Sequence, residues 1–130
     1  MKKKVETIVR VILGLILLIF GLDKFFEFVP HGHVMTEELI TAYHGLLANK
    51  FIMPSVGVVE FISGILLISG RYVIVALVAM IPVVFGILGF HLSVDLPGIL
   101  PGLGVALMHI YLIATRREVI VDFIKQTDSI

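Results

Sequence analysis

Apolar residues fill four long runs of this chain, interrupted by polar or turn-forming positions at 30–50, at 70–71, at 93–95 and after 115. Each run approaches the ~20 helical residues needed to cross a hydrocarbon core of ~30 Å. The pattern therefore predicts four transmembrane helices, at about residues 6–29, 52–69, 72–92 and 96–115. Pro30 closes the first span, and Pro54 falls in the first turn of the second, where a missing N–H does no harm. Only Gly70 and Arg71 separate spans two and three, which predicts a tight antiparallel hairpin. Between spans one and two the period changes. Thr36 is placed to cap a helix that opens with Glu37 and Glu38, and Leu39, Tyr43, Leu46 and Leu47 follow at helical spacing before Asn49. That segment, about 37–48, is too short and too polar to span. It predicts an amphipathic helix lying on the interface or lidding the bundle mouth. In the tail, 116–130, charges alternate with Val119, Ile120, Phe123 and Ile124, the pattern of a second interfacial helix. The fold class is all-α: an integral membrane four-helix bundle, one membrane domain over residues 1–130, with no internal repeat to argue from.

Composition supports lipid as the solvent. Of the residues 58% are hydrophobic and 15% charged, with a mean hydropathy of +1.10, leaving too little polar surface for a water-soluble domain of this length. A formal net charge of +0 gives no electrostatic case for nucleic acid. The absence of Cys excludes disulfides, thiolate metal sites and Cys-x-x-Cys exchange, so any redox role runs through a bound cofactor, a quinone or a partner protein. With no Trp, the interfacial anchors are Tyr43, Tyr72, Tyr111 and the Phe residues. The N-terminus imitates a secretory signal, but its apolar stretch runs into Asp23-Lys24-Phe25-Phe26 without a small-residue cleavage site, and it reads as an uncleaved first span. Lys2, Lys3, Lys4, Arg10, Arg71, Arg116, Arg117 and Lys125 all flank one side of a four-crossing topology, opposite Glu27, Glu37, Glu38 and Asp95. The positive-inside rule then places both termini in the cytoplasm.

Glu60 is the only charge within residues 51–70. An ionisable group at that depth costs at least ~2.5 kcal/mol on the most lenient insertion scale, so it calls for a partner inside the protein. Lys24, near the outer end of span one, is the candidate. Counting ~1.5 Å per residue, Lys24 lies roughly 8 Å and Glu60 about 12 Å from the outer ends of their spans, within a lysine's reach of one another. Small residues mark where membrane helices approach. Gly14, Gly21 and Lys24 share one face, Gly57, Glu60 and Gly64 another, and Gly98, Gly102 and His109 a third. His91 falls outside this scheme, roughly opposite Pro82 and away from Gly86 and Gly89. His109 is expected to donate to a backbone carbonyl or a tyrosine, and Pro82 to free the carbonyl of Val78. Asp23 and Glu27 are expected to be solvated at the membrane edge. His31-Gly32-His33 with His44 is too slight a pattern to predict a metal site, and no metal is assigned.

The order and spacing of Leu13-Gly14-Leu15-Ile16, Phe20-Gly21-Leu22-Asp23-Lys24-Phe25, Glu60-Phe61-Ile62-Ser63-Gly64, Ser69-Gly70-Arg71, and Pro82 followed by Phe90-His91 resemble the DoxX family of small bacterial four-helix membrane proteins. The resemblance implies a redox-associated subunit of the bacterial plasma membrane, one branch of the family resembling the small subunits of a thiosulfate:quinone oxidoreductase. It implies that Lys24, Glu60 and His91 matter without saying how, and no catalytic residue is carried over. The ligand-binding set expected from all this is Lys24, Glu60 and His91, with Asp23 and His109 as secondary candidates. Its expected occupant is a quinone or a similar small amphiphile, although no motif encodes a cofactor. Expected partners are the lipid bilayer, a redox protein and further copies of the chain. Two other readings stay open: a transporter or binding protein for a small solute, and a scaffold in which the charges only specify packing.

Overall fold

The computed structural model describes residues 2–30 and 35–128. Among them the regular elements are helical: α1 (Lys2–Phe26), α2 (Glu37–Ala48), α3 (Ile52–Ser69), α4 (Val73–Val94), a 3₁₀ turn (Leu96–Gly98), α5 (Ile99–Thr115) and α6 (Arg117–Asp128). Four of these, with the 3₁₀ turn leading into the last, are long and apolar enough to cross a membrane. They pack in a ring, α1 on α3, α3 on α4, α4 on α5, and α5 back on α1. The ring encloses Leu13, Leu17, Leu67, Leu77, Met80 and Leu112. Outward positions such as Ile8, Leu15, Val75, Phe85, Leu100 and Leu107 stay exposed, as a lipid-facing surface requires.

The tightest seam is α1 on α3. A Cβ at Gly21 would stand 2.7 Å from the Phe61 nitrogen, and one at Gly64 would stand 2.7 Å from the Gly14 carbonyl oxygen. Backbone meets backbone there, which only glycine allows. The seam ends at a polar clasp. Arg10 donates to the carbonyl of Leu67 and, at 3.5 Å, to that of Ile68, covering carbonyls left open in the last turn of α3. Gly70 then takes a left-handed φ of 74° and Tyr72 one of 54°, reversing the chain into α4 over three residues as the Gly70-Arg71 signal predicts. At the same end Arg116 donates twice to Glu6, at 2.6 and 3.0 Å, tying the start of α1 to the α5–α6 junction. This link has no short-range signal in the sequence.

The end of span one, and with it the depth of Lys24, differs from the sequence expectation, whereas the two shorter helices follow it. Span one stops at Phe26 and not at Val29. Glu27 takes a left-handed φ of 48°, and the Asp23 carboxylate accepts the Val29 N–H at 2.7 Å, so a side-chain cap ends the helix before Pro30 is reached. Lys24 consequently lies in the last turn of α1, about 3 Å from its end instead of roughly 8 Å. The tail is helical as α6, which packs on α5. The segment 37–48 is a helix with those bounds, capped by Thr36, whose hydroxyl accepts the Leu39 N–H at 3.1 Å; it packs on α3 and α4 through the buried Leu39. α4 runs unbroken through Pro82.

Candidate functional site

Lys24 and Glu60 meet. The lysine Nζ stands 3.0 Å from Glu60 Oε2, with side chains 17% and 2% exposed respectively. Helical side chains lean toward the N-terminus of their own helix, and that lean carries the ammonium from the end of α1 down into the bundle. It donates there also to the Phe20 carbonyl, one turn back, at 3.3 Å, and lies 6.0 Å from the centre of the Phe20 ring. Gly57 makes room: a Cβ at that position would come within 2.9 Å of both Lys24 Cβ and the Phe25 ring. The pair is therefore set into the glycine seam itself. Desolvating the two charges offsets most of their attraction.

Above the pair, at the end of the bundle where α1 stops and α3 starts, α2 brings Tyr43 toward the acidic end of α1. The tyrosine hydroxyl titrates above its ordinary range because burial disfavours the phenolate, with Glu27 and then Asp23 adding repulsion. Asp23, expected to be merely solvated, instead caps the chain after α1.

His91 is the largest departure from the sequence reading. The small-residue rule would turn Gly86 and Gly89 of span three inward, but these two have nothing near them and face outward. The buried stripe of α4 is Val73, Ala76, Leu77, Met80 and Val84, and His91, seven residues past Val84, continues it. Its ring packs toward α5, with Cδ2 3.7 Å from where a Gly102 Cβ would stand, and edge-on to Phe90. Its Nδ1 lies 3.0 Å from Asp95 Oδ2, one turn on and 5% exposed as a residue. Asp95 was counted only among the acids of the outer flank. The signal that would have found it is the i, i+4 spacing His91-x-x-x-Asp95.

His109 behaves as expected. Its Nε2 stands 2.8 Å from the Leu77 carbonyl oxygen, across from α5 to α4. A carbonyl only accepts, so Nε2 carries the proton. It is occupied with packing and joins neither polar pair. His31 and His33 lie outside the described residues, and His44 is exposed on α2. A shallow apolar groove of about 140 Å³ runs between α3 and α4, lined by Val58, Ile62, Leu66, Val75 and Ala79, with neither Lys24 nor Glu60 in its walls.

The structure thus brings together Lys24 with Glu60, and His91 with Asp95, as two separate polar pairs toward the same end of the bundle. The model of the DoxX family matches the chain over residues 5–92, from the start of α1 to the last turn of α4. Neither the curated proteins nor the solved structures give a match.

Proposed function

The chain belongs to the DoxX family, and from that premise we propose that it is a redox-associated subunit handling a quinone or similar small amphiphile at the Lys24–Glu60 pair. It is a multi-pass membrane protein by its four apolar helices, and we assign it to the bacterial plasma membrane. The observation that carries the proposal is a carboxylate sealed in the bundle and held by an ammonium that remains partly open, at 3.0 Å. Lys24 supplies a donor for a quinone carbonyl oxygen, and Glu60 a group to give or take a proton. The electrons belong to a partner protein, because a cysteine-free chain of this kind has no thiol couple of its own. One observation favours the scaffold reading instead: the pair sits inside the glycine seam, where it also fixes how α1 meets α3.

Glu60→Gln separates the two. It keeps the size and a hydrogen-bonding end but removes the proton-carrying carboxylate. The variant is expected to insert and fold like the parent and to bind a short-chain quinone analogue more weakly, with loss of protection under quinone stress. Wild-type binding and protection in the folded variant would leave the scaffold as the better account.

The orientation is tested apart from the site. The N-terminus of α1, the α3–α4 turn and the α5–α6 junction lie at one end of the bundle and carry Lys2, Lys3, Lys4, Arg71, Arg116 and Arg117. Reporters fused to either terminus are expected to read cytoplasmic, and one inserted near His33 external. A periplasmic C-terminus would overturn this topology.

A further inference from the structure

Glu60 is about 12 Å along α3 from its start, whereas His91 is only about 4 Å from the end of α4, which runs antiparallel to α3. His91 therefore lies nearer that end of the bundle than the Glu60 carboxylate does. Its side chain is 24% exposed, and the Asp95 carboxylate behind it is 5% exposed. An ionised carboxylate only accepts hydrogen bonds, so the 3.0 Å contact requires the proton on Nδ1 and leaves the lone pair of the neutral ring on Nε2. His109 has the reverse assignment, fixed by the Leu77 carbonyl. The chain thus holds two bundle histidines in opposite tautomers, one closed by packing and one at the mouth.

We propose that Asp95 is a positioning residue that holds His91 as the acid–base group through which the Lys24–Glu60 site exchanges protons with the outer water; this rests on reading that pair as a quinone site. When quinol is oxidised to quinone, its two hydroxyl protons leave one after the other while the two electrons go to the partner. Glu60 takes up each proton and passes it through intervening water to Nε2. The Nδ1 proton stays on Asp95's side of the ring, whose carboxylate stabilises the imidazolium, and Nε2 then releases its proton to water. Quinone reduction runs the same transfer backward, and the electrons travel through the partner in either direction. Asp95 touches neither ligand nor water-borne proton in this scheme. It acts by fixing the ring.

The test is solid-state ¹⁵N NMR of histidine-labelled protein in liposomes, at a pH where the rings are neutral. Wild type is expected to show one histidine protonated on Nδ1, lost in His91→Gln, and His109 protonated on Nε2. In Asp95→Asn the His91 proton is expected to move mainly to Nε2, since a carboxamide offers a donor where the carboxylate offered none, while the unchanged His109 signal reports an intact bundle. In native membranes, quinone turnover in Asp95→Asn and His91→Gln is expected to fall at least about tenfold in kcat with little change in KM. The double variant should lose no more than His91→Gln alone, the mark of one residue acting through another. A wild-type His91 protonated on Nε2 would overturn the positioning role without any substitution being made. So would an Asp95→Asn protein with its His109 signal intact and its His91 tautomer unmoved. Multiplicative losses in the double variant would overturn the relay. Absence of quinone turnover in wild type would remove the quinone reading and the relay with it, yet leave the tautomer result to judge Asp95.

Discussion

Lys24→Met is expected to destabilise the protein by about 3–5 kcal/mol, because it leaves the Glu60 carboxylate buried with no cation. The methionine keeps most of the lysine stem, so packing over Gly57 changes little and the loss is mainly electrostatic. The double change Lys24→Met with Glu60→Leu removes both charges and should recover most of that loss, since an apolar pair of similar volume avoids the desolvation cost altogether. Thermal unfolding in detergent of the two single variants and the double gives the interaction energy directly. Two residues 3.0 Å apart should be strongly coupled. Losses that simply add would mean that the two side chains do not touch in the membrane. The same double variant also informs the functional reading: a protein restored in stability but inactive toward quinones has lost chemistry and kept its scaffold.

The residues that sequence reasoning placed well are those whose environment is written locally. Four apolar runs, a Gly-Arg turn and a Thr-Glu-Glu helix start are short-range signals, and the helices follow them to within a few residues. The Lys24–Glu60 contact was legible for a different reason. A lone carboxylate in an apolar span has few ways to survive, and the glycines on the same faces told which helices come close. The same rule failed on α4. There Gly86 and Gly89 face outward, the inner stripe is built of Val, Ala, Leu and Met, and His91 belongs to that stripe. Small residues mark close approach only where the neighbouring backbone is near. α4 meets α5 through side chains such as Ile87 against Gly102, so on that seam the glycine signal sits on α5. Asp95 lies at a span boundary, where a carboxylate reads as solvated, and its burial at 5% exposure is a tertiary feature with no local signal. Glu6 with Arg116 is a contact between opposite ends of the sequence, which no periodicity reports. The family match stops at residue 92, so neither Asp95 nor the α5 face against which His91 packs lies within it.

The second large effect is expected at the seam that carries the pair. Gly64→Ala puts a methyl 2.7 Å from the Gly14 carbonyl oxygen and 2.8 Å from the Leu18 nitrogen, and Gly21→Ala puts one 2.7 Å from the Phe61 nitrogen. These neighbours are backbone atoms, which cannot rotate aside as a side chain does, so the two helices must separate. Overpacking of this kind costs about 1–3 kcal/mol. Here it has a further consequence, because Lys24 crosses to Glu60 only while α1 and α3 lie this close. Each substitution should therefore lower detergent stability and weaken quinone-analogue binding together. Gly86→Ala is the internal control. It adds the same methyl to a transmembrane helix, but nothing lies within 4 Å of the new atom, and alanine is the better helix former by roughly 1 kcal/mol. Its stability should be unchanged or slightly higher, with binding intact. Should Gly64→Ala behave like Gly86→Ala, the helices have slack between them, and the close seam that sets Lys24 against Glu60 is not the feature holding the site.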